Sequence, residues 1–175
     1  ILVNNTQGPP SGNSLSKSIQ DYQTSFDLLF KNIVYTTSLA MKNMKSQGWG
    51  RIINIASISV REPLNYLVLS NTMRAAVVTW GKSLSYDVAQ YGITVNSILT
   101  GYFDTERITQ LNSAKAKSMN ISESQVLSAM KEMVPLNRLG KPEEYGYLVS
   151  FLASNKAAYI TGTSIPIDGG LLKST

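Results

Sequence analysis

The sequence contains no histidine and no cysteine. The commonest general base, the commonest metal ligand and all thiolate chemistry are therefore missing together. One segment nevertheless sets chemically useful groups a helical turn apart: Tyr66, Ser70 and Arg74. A free phenol ionises near pKa ~10 and works near neutrality only when a fixed positive charge pulls it down. A serine hydroxyl cannot exchange protons efficiently without a separate base, and no imidazole is present to serve. Arginine stays protonated and presents a planar fork of donors suited to a carboxylate, unlike the compact ammonium of lysine. Ser57 supplies a further hydroxyl just past the β-branched run Arg51-Ile-Ile-Asn-Ile55.

The elements that must position these groups alternate along the chain. Ile1 to Val3 reads as a short buried strand running into a loop at Asn4 and Asn5, with turn-rich residues from Gly8 to Gly12. Apolar residues at helical spacing (Phe26, Leu29, Phe30, Ile33, Val34) predict a long helix from about Ile19 to Lys45, closed by Gly48 to Gly50. Arg51 to Ile55 has the composition of a strand buried on both faces. A helix is predicted from about Leu67 to Tyr91, stopping at Gly92 as a left-handed cap, then a strand from Ile93 to Leu99. Further helices are expected near Glu106 to Met119, from Ser122 (where Ser122 and Gln125 can form a capping box), and from Pro142 to Ala153. Thr163 to Ile167 is a last strand before Asp168-Gly-Gly170. Strands alternating with helices predict right-handed βαβ units: an α/β fold, a doubly wound parallel sheet covered on both faces.

The 175 residues, 43% of them apolar, suit one domain with a sizeable core. The net charge of +5 is scattered, Lys115 and Lys117 being the nearest to a cluster, so no nucleic-acid surface is expected. No apolar run approaches the ~20 residues of a membrane span, and no signal-peptide pattern opens the chain. A buried-strand pattern at residue 1, with no initiator methionine, leads to the expectation that sequence belonging upstream is missing.

Several segments together resemble the short-chain dehydrogenase/reductase superfamily. Leu2-Val-Asn-Asn-Thr6 is similar to the family's Asn-Asn-Ala-Gly strand end, and Gly50 to Ser57 to the strand that carries its catalytic serine. Tyr91 to Asn96 followed by Thr100-Gly101 resembles the Asn…Pro-Gly strand and loop. Pro135 to Glu144, Phe151 to Ser154, and Tyr159 to Gly162 with Asp168-Gly-Gly170 resemble the C-terminal signature. The resemblance implies a Rossmann-type fold that begins at its fourth strand. On it, residues 1–175 are the C-terminal part of a single domain whose Gly-rich dinucleotide-binding half is absent, as in a cleaved or truncated product. It also implies an NAD- or NADP-dependent oxidoreductase of the 3-oxoacyl-carrier-protein reductase-like branch. Such an enzyme exchanges hydride with a small alcohol or carbonyl substrate and is a cytoplasmic homo-oligomer.

The family's catalytic set is Ser, Tyr, Lys and Asn. Ser57 stands at its serine, but the tyrosine position is Ser70, the lysine position is Arg74, and the position that normally holds Asn aligns with Leu29. Tyr66, one turn before Ser70, is the nearby phenol expected to replace the lost one by swinging in. By the same resemblance Asn5 and Thr6 lie beside the adenosine side of the cofactor, and Gly101, Tyr102, Phe103 and Thr105 pass its carboxamide. Thr100 replaces the usual proline. Residues 104–135 form the substrate cover, in which Met119, Met130 and Met133 suit an adaptable apolar lid. Asp168 is expected to anchor a tight turn. Helices near 19–45 and 67–91 resemble the family's dimer helices, with Phe26, Phe30 or the Val77 region expected to be buried between copies. The altered set leaves a rival expectation, a non-catalytic binding or scaffolding protein on the same fold.

Overall fold

The computed structural model describes residues 1–174. Four parallel strands form one sheet in the order β1 (Leu2–Asn4), β2 (Gly50–Ile55), β3 (Ile93–Thr100) and β4 (Ser164–Ile167). Between β1 and β2 run α1 (Ile19–Phe26) and α2 (Asn32–Gln47), and α3 (Val68–Val88) links β2 to β3. The β3–β4 connection holds α4 (Glu106–Met119), α5 (Glu123–Met133) and α6 (Pro142–Ala153). This is the alternation that the sequence predicts.

The two central strands are buried almost without break, polar residues included, because both sheet faces are covered. Side chains of a strand alternate between faces. Ile52 and Val95 accordingly join Met44, Leu84 and Val88 under α2 and α3, whereas Ile53 and Ile98 pack with Leu152 of α6 on the other side. Each fully buried isoleucine contributes roughly 1.5–3 kcal/mol of transfer free energy. A third apolar group, Ala56, Ile58 and Leu99, closes the carboxyl ends of the strands.

Local signals explain the element ends. The Ser122–Gln125 capping box forms, Pro142 occupies the first turn of α6, and Gly92 takes φ 67° after α3 and a short 3-10 turn. The helix expected over 19–45 is real but not uniform: a π-helical stretch, Asp27–Lys31, joins α1 to α2 and holds Leu29 at its centre, fully buried. A π turn takes in an extra residue and rotates the faces on either side of it, which helical periodicity cannot reveal.

A polar group sits inside this core. Asn4 and Asn54 are partners across the β1–β2 pair, and Asn4 Nδ2 donates to Asn54 Oδ1 at 2.9 Å and to Thr37 Oγ1 at 3.0 Å. Thr36 Oγ1 donates in turn to Asn4 Oδ1 at 3.2 Å. Asn4 is thereby satisfied at both amide atoms and holds β1, β2 and α2 in one arrangement, whereas Asn54 Nδ2 is buried without a partner.

The dimer expectation needs one correction. Val77 is only 1% exposed because it packs inside the chain, so its side chain is not available to a partner. Phe26 is 39% exposed and stacks on Phe30, which meets Trp80 edge-on. Of the lid methionines, Met130 is buried, while Met119 and Met133 are exposed. Among the described residues no helix is long and apolar enough to cross a membrane.

Candidate functional site

A cavity of about 650 Å³ opens at the carboxyl ends of the strands. Its walls come from the loop after β1 (Asn5 to Gly8), the end of β2 (Ala56, Ser57), the start of α3 (Leu67, Ser70, Arg74) and the segment after β3 (Thr100, Gly101, Phe103, Thr105). The first turns of α4 and α6 complete it with Arg107 and Tyr145. Ligands of open parallel sheets bind at this end, outside the strands.

Three expected residues converge on the inner wall. Ser57 Oγ accepts from the Ser59 N–H at 3.1 Å and so caps the short turn Ile58–Val60, which leaves its own hydrogen free to donate. Ser70 Oγ accepts from Arg74 Nε at 3.3 Å, one helical turn away. Arg74 also donates from Nη1 to the Ile55 carbonyl at 2.5 Å and from Nη2 to the Thr6 carbonyl at 3.3 Å. The guanidinium thus ties α3 to the ends of β1 and β2. Burial lowers its pKa, the Tyr145 hydroxyl opposes that shift, and Arg107 adds to it.

The cofactor-side residues differ in what they offer. Asn5 is exposed, and the Thr6 hydroxyl is buried with no partner. Gly101 is required by close approach: a Cβ there would lie 2.6 Å from the Asp168 backbone. Phe103 meets the Tyr145 ring edge-on at 5.2 Å. Thr105 is the N-cap of α4 but makes no side-chain cap bond. Asp168 is the turn anchor expected of it, accepting from the N–H groups of Gly170 and Leu172.

Tyr66 and Tyr102 are not among the residues lining the cavity. Tyr66 is 40% exposed; burial raises its pKa, and the Tyr102 hydroxyl partly offsets this. Tyr102 lines a smaller hollow with Arg138, Glu144 and Asp168, and burial followed by the Tyr66 phenol pushes it up to about 12.

Sequence reasoning missed Arg107 and Tyr145. Arg107 Nη2 donates to the Pro9 carbonyl at 2.9 Å and so spans the cavity mouth from α4 to the β1 loop. Tyr145 shares a 2.9 Å hydrogen bond with Thr100 Oγ1, and burial pushes its pKa up to about 12. Tyr145 sits within an apolar helical pattern that reads as core, and nothing in the sequence around Arg107 marks it.

The strand order, the covering helices and the cleft at the strand ends define a Rossmann-type fold. A family model described as enoyl-(acyl carrier protein) reductase matches residues 1–172. The NADPH-dependent reductase BacG of Bacillus subtilis is 33% identical over 99% of this chain and 67% of its own length. The 3-oxoacyl-[acyl-carrier-protein] reductase FabG of Rickettsia prowazekii is 35% identical over 87% of this chain and 59% of its own. Among solved structures, YwfH, an NADPH-dependent reductase involved in bacilysin biosynthesis, superposes with TM-score 0.94 at 31% identity, covering 99% of this chain and 67% of that one. L-sorbose reductase from Gluconobacter frateurii, complexed with NADPH and L-sorbose, superposes with TM-score 0.91 at 28% identity, covering 99% and 66%. This chain belongs to the short-chain dehydrogenase/reductase superfamily and is 3-oxoacyl-carrier-protein reductase-like. It spans about half to two thirds of the length of the curated relatives it matches.

Proposed function

We propose that this domain serves, in the whole protein, a nicotinamide-dependent reductase acting on a small carbonyl compound, with catalysis slowed by its altered residue set. The observation that carries the reading is the convergence of Ser57, Ser70 and Arg74 on one cavity at the strand ends. The unpartnered Thr6 hydroxyl and the donors around it fit the ribose and carboxamide of NAD or NADP. Asn5, Thr6, Gly101, Phe103 and Thr105 would hold that group, and Tyr102 contributes through its carbonyl, which fixes Gly140. When bound, the nicotinamide supplies or accepts the hydride. Ser57 donates its free hydrogen to the carbonyl oxygen and orients it. Ser70, held by Arg74, passes a proton to that oxygen only as fast as solvent replaces it, because a serine hydroxyl is a weak acid and the guanidinium keeps its own proton.

The reading carries with it residues 1–175 as the later part of one domain, a cytoplasmic setting and a homo-oligomer. Support for the last is the Phe26–Phe30 pair, half open to solvent on the α1–α2 helix. A second reading, a binding protein without turnover, draws support from Leu29, the residue that the resemblance aligns with the family's asparagine and that is fully buried. Fluorescence titration with NADH and NADPH, beside oxidation assays on a ketone panel, separates the two. Cofactor binding with measurable turnover upholds the reductase, and binding with none favours the second.

A further inference from the structure

Arg74 is a buried cation with no anion to meet it. It is 9% exposed, and its three hydrogen bonds go to neutral oxygens: the Ser70 hydroxyl and the carbonyls of Ile55 and Thr6. A guanidinium has five N–H groups, so two remain uncommitted. Among the described residues the ion pairs are Lys31–Asp27 and Arg138–Glu144, neither of which touches it. The other charge that bears on it is a second cation, Arg107, in the lining of the same cavity. Glu106 at the rim accepts instead from Gln110 Nε2 at 3.3 Å. A buried charge left in this condition is costly unless something else neutralises it.

The neighbouring groups are donors as well. Ser57 and Ser70 each spend an oxygen lone pair on an N–H and keep the hydroxyl hydrogen. A serine at 70, where relatives of this superfamily hold the bulk of a tyrosine, leaves space beside the guanidinium. We propose that the cavity takes a carbonyl compound that also bears a carboxylate, with the carboxylate seated on Arg74 and Ser70 and the carbonyl oxygen on Ser57. A bidentate guanidinium–carboxylate pair would fill both idle N–H groups. A phosphate of the nucleotide offers the same charge. Arg74, however, bonds Ser70 and the Ile55 carbonyl at the end of β2 and reaches the β1 loop only at Thr6, whereas Arg107 stands further along that loop, on Gly8 and Pro9.

The inference rests on the reductase reading for its reaction, though not for its binding. The protein as its gene encodes it is assayed with NADPH or NADH against benzoylformate and the methyl ester of benzoylformate, with calorimetry on benzoylformate alone. The acid should be preferred over the ester by roughly 10-fold or more in kcat/KM, the scale of a hydrogen bond to a charged group. Arg74→Gln should abolish that preference and weaken benzoylformate binding by a similar factor, while Arg74→Lys retains part of both. An ester used as well as the acid by the unmodified protein overturns the proposal without recourse to any variant. So does an Arg74→Gln protein that binds NADPH more weakly yet still prefers the acid, since the anion would then be the nucleotide's. If neither compound is turned over, the reductase reading falls separately and calorimetry decides. Heat from benzoylformate that is lost in Arg74→Gln upholds the carboxylate site, and no heat in the unmodified protein overturns it.

Discussion

Arg74 Nε lies 3.3 Å from Ser70 Oγ, so the two residues that the sequence resemblance aligns with the superfamily's tyrosine and lysine are bonded to one another. The hydroxyl is an acceptor in that bond and the guanidinium a permanent donor. Neither lowers the other's pKa in the way that an ammonium activates a phenol.

Placing the superfamily's tyrosine and lysine at these two positions should therefore raise the rate. The Ser70→Tyr, Arg74→Lys double variant is expected to oxidise NADPH faster than the unmodified protein on neutral ketones, by up to ~10²-fold, the lower end of general acid–base assistance. Ser70→Tyr alone should gain less, because its phenol keeps a pKa near ~10. Stopped-flow absorbance of the three proteins makes the comparison. A double variant no faster than the parent would mean that the changed residues do not limit the reaction.

Tyr66→Phe should leave turnover within about threefold of the parent, because Tyr66 faces Tyr102 and not the cavity. Loss of ~10²-fold, the lower end of general-acid assistance, would instead identify it as the proton donor. Steady-state kinetics on the same ketones is enough to decide.

Gly101→Ala should destabilise the domain by about 1–3 kcal/mol, the usual result of forcing a methyl into an occupied place. The added Cβ would lie 2.6 Å from both Cα and Cβ of Asp168, and that residue is itself tied to Gly170 and Leu172. Urea denaturation followed by circular dichroism measures the loss. An unchanged midpoint would show that the β4 turn yields more readily than these bonds imply.

Glu144 titrates far below its ordinary 4.5, at about 2, because Arg138 and then the Lys141 N–H bond its carboxylate. A folded-state pKa below the unfolded one adds stability that is fully present above pH 4.5 and is lost as pH falls towards 2. Thermal melts of Glu144→Gln beside the parent should differ at neutral pH and draw together across that window. A constant difference would assign the effect of the substitution to packing.

The fold was legible because both central strands are rich in β-branched residues and several helix ends carry a recognisable signal, Gly92 and the Ser122–Gln125 box among them. The π stretch around Leu29 was not, since apolar spacing looks the same on either side of one inserted residue. At the site, Ser57, Ser70 and Arg74 were found by their order in the chain. Arg107 and Tyr145 arrive from α4 and α6, far along the sequence from the wall they complete, so no local pattern predicts them. Val77 shows the opposite failure: position on a helix said nothing of which face the sheet had already claimed.

The bond between Asn4 and Asn54 acts as an index mark for assembly. Parallel strands of plain isoleucine and valine would pair nearly as well one step out of place. Such a slip here would set Asn4 opposite Ile53 or Ile55 and break its bond to Asn54 in the core. Misregistered chains are therefore penalised before any ligand is involved. What the mark keeps level is downstream of it: Thr6 leaves β1 two residues after Asn4, and Ser57 leaves β2 three residues after Asn54. A misalignment of one residue would offset those two walls by about 3.3 Å, a full hydrogen-bond length. Two amides that touch no ligand thus set the gauge to which the cavity is built.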